Sequence, residues 1–110
     1  KLIKGNQYLF KETIDTSKFV DIFPKDLDDE FSVFWEYSVK NGSNIRAGTI
    51  IAAWDSDTNQ VSFTHVSTMD IGDTTDIDFK VDMDVANENI RLFTEITSGT
   101  WFVKILRRFV

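Results

Sequence analysis

An all-β fold is predicted for this chain, an antiparallel β-sandwich of about eight strands, and three observations predict it. Runs of alternating apolar and polar residues recur through the 110 residues. Turn chemistry separates those runs at short, regular spacing. A single proline and no helical periodicity complete the pattern. Two packed sheets of jelly-roll or immunoglobulin-like kind are expected, with a closed barrel as the alternative. No repeat, low-complexity segment or linker divides the chain, so 1–110 reads as one domain.

The elements follow in order. "YLFKETI" (8–14) and "KFVDIF" (18–23) come first and alternate imperfectly. Pro24 closes the second, and "PKDLDDE" (24–30) reads as a solvated loop with room for one helical turn. "FSVFWEYSV" (31–39) puts Phe31, Val33, Trp35, Tyr37 and Val39 on one face, with Phe34 the apolar exception on the other. "KNGSN" (40–44) carries an Asn-Gly pair between apolar runs, a strong hairpin signal.

"IRAGTIIAAW" (45–54) is apolar on both faces beyond Gly48, as expected of a central strand covered on both sides. "DSDTNQ" (55–60) reads as a turn and "VSFTHV" (61–66) alternates again. In "DIGDTTDIDFKVDMDV" (70–85), Ile77, Phe79, Val81, Met83 and Val85 share one face, and Asp76, Asp78, Lys80, Asp82 and Asp84 the other. That strict alternation indicates a half-buried strand with an acidic, solvated face. "ANEN" (86–89) is a further turn, and "TSG" (97–99) joins "IRLFTEI" (90–96) to "TWFVKILRRFV" (100–110). Gly99 is placed to take positive φ in that hairpin.

Composition narrows the function classes. A net charge of −6 and a pI near 4.6 argue against a nucleic-acid binder, which needs a basic footprint. Lys104, Arg107 and Arg108 are the local exception and read as ordinary surface. There is no cysteine, which removes disulfides, thiolate catalysis and sulfur-based zinc sites. No apolar run is long enough to span a bilayer, so membrane insertion is not expected. The sequence opens on Lys1 and not on methionine, which suggests a processed chain or part of a longer protein.

Candidate chemistry is sparse. His65, the lone histidine, lies in phase with an apolar face, two residues after Phe63, and reads as a hydrogen-bonded structural residue. Asp55, Asp57 and Asn59 match the opening of a calcium loop, but Gln60 stands where glycine is needed and Val66 where a bidentate glutamate is needed. A polar turn is the better reading. Asp70, Asp73 and Asp76 form a second oxygen-rich loop, read as turn capping by Asp and Thr side chains. No metal and no cofactor is assigned.

Among the aromatics, Trp35 and Trp101 are in phase with core faces. Trp54 ends its strand beside the 55–60 loop and is the tryptophan expected to be exposed, where it could stack on a sugar ring. The ligand-binding candidates are therefore Trp54, Asp55, Asp57 and Asn59.

Three stretches carry a family likeness. "RAGTIIAAWD" (46–55), "STMDIGDTTDIDFKVDM" (67–83) and "NIRLFTEITSGTWFVKILRRFV" (89–110) resemble a β-domain of tailed-bacteriophage virion proteins. The likeness covers roughly residues 31–110. It implies a non-enzymatic structural or assembly domain of a virion, tail- or fibre-associated, with host-surface contact as an added role.

The implied partners are other virion proteins and copies of the chain itself, a trimer being favoured, with a cell-surface glycan as a further candidate. Trp101, Gly99, Ile71, Gly72 and Asp73 carry over only as fold-defining positions. The ending "LRRFV" places paired arginines beside the terminus, so the last strand packs either within the subunit or onto a neighbour. Residues 1–7 are expected to be tied to a preceding domain.

Two alternatives remain. One is a carbohydrate-binding module built on Trp54 and the loops around 40–44, 55–60 and 86–89. The other is a hydrolase using two carboxylates, which would require a deep cleft.

Overall fold

The computed structural model describes residues 8–110; the expectation for residues 1–7 lies outside the described residues. Eight strands run in chain order: β1 (Tyr8–Ile14), β2 (Lys18–Pro24), β3 (Ser32–Asn41), β4 (Asn44–Asp55), β5 (Gln60–Ser67), β6 (Ile77–Asp84), β7 (Asn89–Ile96) and β8 (Trp101–Phe109). A 3-10 turn at Leu27–Asp29 interrupts the connection from β2 to β3. The strands form two antiparallel sheets, ordered β1-β8-β3-β4-β5 and β2-β7-β6. All-β sandwich architecture is thus observed, and no register closes the sheets into a barrel. β1 pairs with β8 and β2 with β7, the nested pairing of a chain rolled up from its two ends.

Alternation explains the strands. In β3, Val33, Trp35, Tyr37 and Val39 are buried, and Ile77, Phe79 and Val81 are their counterparts in β6. Opposite them, Ile90, Leu92, Val103 and Ile105 are at most 1% exposed, so the core is one continuous layer between the sheets. The acidic face of β6 is solvated as expected: Asp82 meets Arg91 at 2.8 Å and Lys80 meets Glu95 at 3.4 Å. Such exposed pairs contribute little to stability but keep this edge strand charged.

The imperfect alternation of β2 has a local cause. Its pairing to β7 shifts register between Phe19 and Asp21, a β-bulge that turns Val20 and Asp21 both inward.

β4, Phe31, Val85 and Arg107 depart from what the sequence predicts. β4 is central within its sheet but not covered on both sides: Ile50, Ala52 and Trp54 are buried, while Ala53 on the opposite face is exposed. Phe31 precedes β3 and is 64% exposed, and Val85 follows β6 and is 52% exposed, because the alternation stops where the strands stop. Arg107 is not surface. It lies 7% exposed between the sheets, because β8 is flanked by β1 and β3 and its odd positions face the core. The last strand therefore packs within the subunit.

Candidate functional site

The sandwich has two loop-bearing ends, and the expected loops do not share one. β3 and β4 pair from Ser32↔Ala53 to Asn41↔Asn44, so the 40–44 hairpin is a full strand length from the 55–60 turn. At about 3.3 Å per residue that separation is roughly 30 Å. The 55–60 and 86–89 loops do meet, with the 25–31 connection between them. Lys25 joins all three: its N–H donates to the Glu88 carbonyl at 2.9 Å, and its Nζ donates to the Ser56 carbonyl at 2.9 Å and to Asn59 Oδ1 at 2.7 Å.

Trp54 belongs to this hub and not to the surface. It is 6% exposed, its Nε1–H donates to the Lys25 carbonyl at 2.8 Å, and its ring lies 5.4 Å from Phe23. The expectation of an exposed Trp54 is corrected, and Trp35 and Trp101 are more deeply buried still. Asp55 caps the turn: Oδ1 accepts the Asp57 N–H at 3.1 Å and Oδ2 the Thr58 hydroxyl at 2.8 Å. The Thr58 hydroxyl, with the Asp57 N–H, holds the Asp55 carboxyl below the usual carboxylate range. Asp57 contributes its backbone N–H, and Asn59 adopts φ +58° and receives the lysine.

Beside this hub lies a surface depression of about 440 Å³, lined by Lys25, Asp29, Glu30, Phe31, Trp54 and Asp55 among others. Sequence reasoning missed Phe31 and the 26–30 turn as its wall, since Phe31 sits in phase with a core face and reads as core.

His65 is structural, as its phase suggested. Its Nε2 shares a hydrogen bond with the Tyr37 hydroxyl, and its Nδ1 lies 3.7 Å from Asp78. Burial, with the nearby Arg46 guanidinium, pushes the imidazole below its ordinary value. Arg46 is itself buried and donates to the Tyr37 hydroxyl (2.9 Å), the Thr74 carbonyl (3.2 Å) and the Ile77 carbonyl (2.9 Å). It pins the 68–76 loop across the end of the core. Burial raises the Tyr37 phenol.

The 70–76 aspartates act as caps. Asp70 accepts the Thr74 N–H at 3.2 Å and hydroxyl at 2.5 Å, and Asp73 accepts the Thr75 N–H at 2.9 Å and hydroxyl at 2.7 Å. Both carboxyls are held low, chiefly by these threonines. Asp76 accepts the Thr97 hydroxyl at 2.9 Å. Among the described residues no group of three or more His, Cys, Asp or Glu side chains is placed to hold a metal ion.

Inside the protein Asp21 pairs with Arg107, 3.0 Å apart and each under 8% exposed. Trp35 Nε1–H donates to the same carboxylate at 2.9 Å, and the guanidinium lies over Phe109 at 4.8 Å and Tyr8 at 5.1 Å. Burial pushes Asp21 up, against the pull of Trp35 and Arg107. A raised carboxyl invites an acid–base reading, but this one is sealed between β2 and β8 with no open cleft to a substrate.

Comparison of the chain with family models, with curated proteins and with solved structures finds no match.

Proposed function

We propose that this chain is a non-enzymatic structural and assembly domain of a tailed-phage virion, tail- or fibre-associated, that works by associating with copies of itself and with other virion proteins. One observation carries the non-enzymatic part. Among the described residues, the buried and loop-capping polar side chains are committed to internal bonds: His65 to Tyr37, Arg46 to the 74–77 backbone, Asp21 to Arg107 and Trp35, and Asp70 and Asp73 to threonines. What the molecule presents outward is strand edges, loops and apolar side chains.

The virion part rests on the sequence likeness. Its fold-defining positions have clear local roles here. Gly72 and Gly99 take φ +72° and +90°, Ile71 bridges to Ile45, the Asp73 N–H is held by Asn44, and Trp101 is 1% exposed. The reading is tested by searching tailed particles purified from the source for peptides of this chain, followed by immunogold labelling. Decoration of tail or fibre is the expected result, and absence of the chain from purified particles would sink the proposal.

A second reading, carbohydrate binding, is favoured by one feature. Phe31 is 64% exposed at the rim of the depression beside Asp29 and Glu30. An exposed ring flanked by carboxylates can stack on a sugar face while the acids bind hydroxyls. In this form the platform is Phe31 and not Trp54. A glycan screen in which Phe31→Ala abolishes every hit would support it; no hit, or hits indifferent to that substitution, would remove it.

A further inference from the structure

Four strands end the two sheets: β1, β5, β2 and β6. An open edge is a template for another chain, and edges are usually blunted by charge, proline or a bulge. β1 exposes Lys11 and Glu12; β2 carries Lys18, a bulge and Pro24; β6 carries Asp78, Lys80 and Asp82. β5 reads "QVSFTHVS", with no Asp, Glu, Lys, Arg or Pro and an unbroken register to β4. It is the undefended edge among the described residues.

Its geometry is ready for pairing. The Thr68 N–H donates to the Ala47 carbonyl at 2.8 Å, and register continues from Ser67↔Gly48 along β5. Backbone groups alternate in direction along an antiparallel strand, so Ser62, Thr64 and Val66 bond inward to β4. Those of Val61, Phe63 and His65 then face outward, unpaired by strand neighbours. Phe63 is 42% exposed although it shares a side of the strand with Val61 and His65, which are half-buried. With Phe19, Phe93, Val81, Lys80 and Asp82 it lines a largely apolar depression of about 480 Å³.

We propose that β5 is a self-association surface, pairing antiparallel with β5 of a second copy about a two-fold axis at Phe63, so that two five-stranded sheets become one. The occupant is a second copy because of charge. The chain carries −6, and copies repel wherever carboxylates face each other, but this edge brings none to the seam. Of the carboxylates near it, Asp82 is paired with Arg91, and Asp78 accepts the Phe79 N–H at 2.8 Å.

Centred on Phe63, the outward groups match without remainder. Phe63 pairs with its own mate and Val61 with the mate's His65, about six backbone hydrogen bonds in all. The two Phe63 rings meet on the core side, and Ser62 stands opposite the mate's Thr64 on the other, both favourable cross-strand pairs. An edge that pairs with itself is isologous and closes at two, so the elementary contact is a pair where a trimer was expected. The inference deepens the assembly reading and rests on it.

Light scattering behind a sizing column, at up to about 100 µM, tests the proposal with three proteins. The unaltered chain is expected at twice its 12.7 kDa. Ser62→Lys with Thr64→Lys sets two lysines opposite each other across the axis and is expected to halve that mass. Ser62→Lys with Thr64→Glu places opposite charges there and is expected to restore it. Both positions of change lie on an exposed strand face, and an unchanged circular dichroism spectrum verifies folding.

A monomeric unaltered chain overturns the proposal, as does a dimer indifferent to both variants, or one captured only by a different protein. None of these results touches the particle test, so the dyad and the virion reading fail separately.

Discussion

The two ends of the sandwich solve the same problem with different residues. Seven of the described residues take positive φ, and they divide cleanly. Gly42, Gly72 and Gly99 lie at the end formed by the 41–44, 69–76 and 97–100 loops. Asp28, Asp29, Asn59 and Glu88 lie at the end where Lys25 joins three loops. A left-handed conformation costs a residue with a Cβ roughly 1–2 kcal/mol, so the second end holds conformational strain that the first avoids.

The reason at two of the glycines lies in proximity. Asparagine side chains pack onto the bare Cα there: a Cβ on Gly72 would collide with Asn44 Oδ1, and one on Gly99 would come within 2.9 Å of Asn41 Nδ2, while Gly42 has open space. At the lysine end the loops are tied through Lys25, by its backbone N–H to Glu88 and its Nζ to Ser56 and Asn59, while Asp29 and Phe31 stand outward. One end is fixed by what it lacks and the other by what it carries. The second is where contact residues can vary without breaking the fold.

The contrast can be broken at either end. Gly72→Ala has the largest expected effect, about 2–3 kcal/mol of lost stability, because it adds left-handed strain and displaces the asparagine that holds the Asp73 N–H. Denaturant titration measures it, and a change below about 0.5 kcal/mol would contradict the close approach.

Lys25→Met, which keeps the stem and removes the donors, is expected to cost about 2 kcal/mol. It should also speed amide exchange in 56–59 and 86–88 while leaving 69–76 unaffected. Glu88→Gly runs the other way: relieved of its Cβ at φ +58°, the turn is expected to gain about 0.5–1 kcal/mol. A loss there would mean that the Glu88 carboxylate, 4.0 Å from Lys25, outweighs the strain.

Acidification should act on both ends alike and least strongly. Asp70 and Asp73 at the glycine end, and Asp55 and Asp84 at the lysine end, are all held below the ordinary carboxylate range by side-chain and backbone donors. A lowered folded value means that stability is complete above the unfolded value near 3.9 and is lost as pH falls through the lowered one. Thermal melts from pH 6 downward should be flat to about pH 4 in this respect and then decline. His65, also lowered, adds a separate decline beginning below about pH 6.5, which His65→Gln should remove.

Strands were legible in the sequence because alternation is a local signal; β3 and β6 follow it residue by residue. Turns were legible for the same reason, from "KNGSN" to "TSG". What stayed hidden depends on partners distant in the chain. Arg46 and Arg107 face the core because Thr74, Ile77 and Asp21 supply acceptors there, and nothing beside the arginines announces them.

Trp54 is buried because a carbonyl 29 residues away accepts its indole N–H. Loops 40–44 and 55–60 lie apart because the β3–β4 pairing sets a full strand length between them. Asp21 was obscured by a bulge, which no alternation rule anticipates. The undefended edge could have been found from "QVSFTHVS" once β5 was known to end a sheet, but strand order is a property of the whole chain.

Under the proposal above, copies of this protein join through β5. Amide hydrogen exchange at Val61, Phe63 and His65, compared between dilute and concentrated solutions, tests it most directly. Protection of these three amides at high concentration, lost on dilution while Ser62 and Thr64 stay protected throughout, is the result expected. Equal and rapid exchange of the three at both concentrations would contradict the claim.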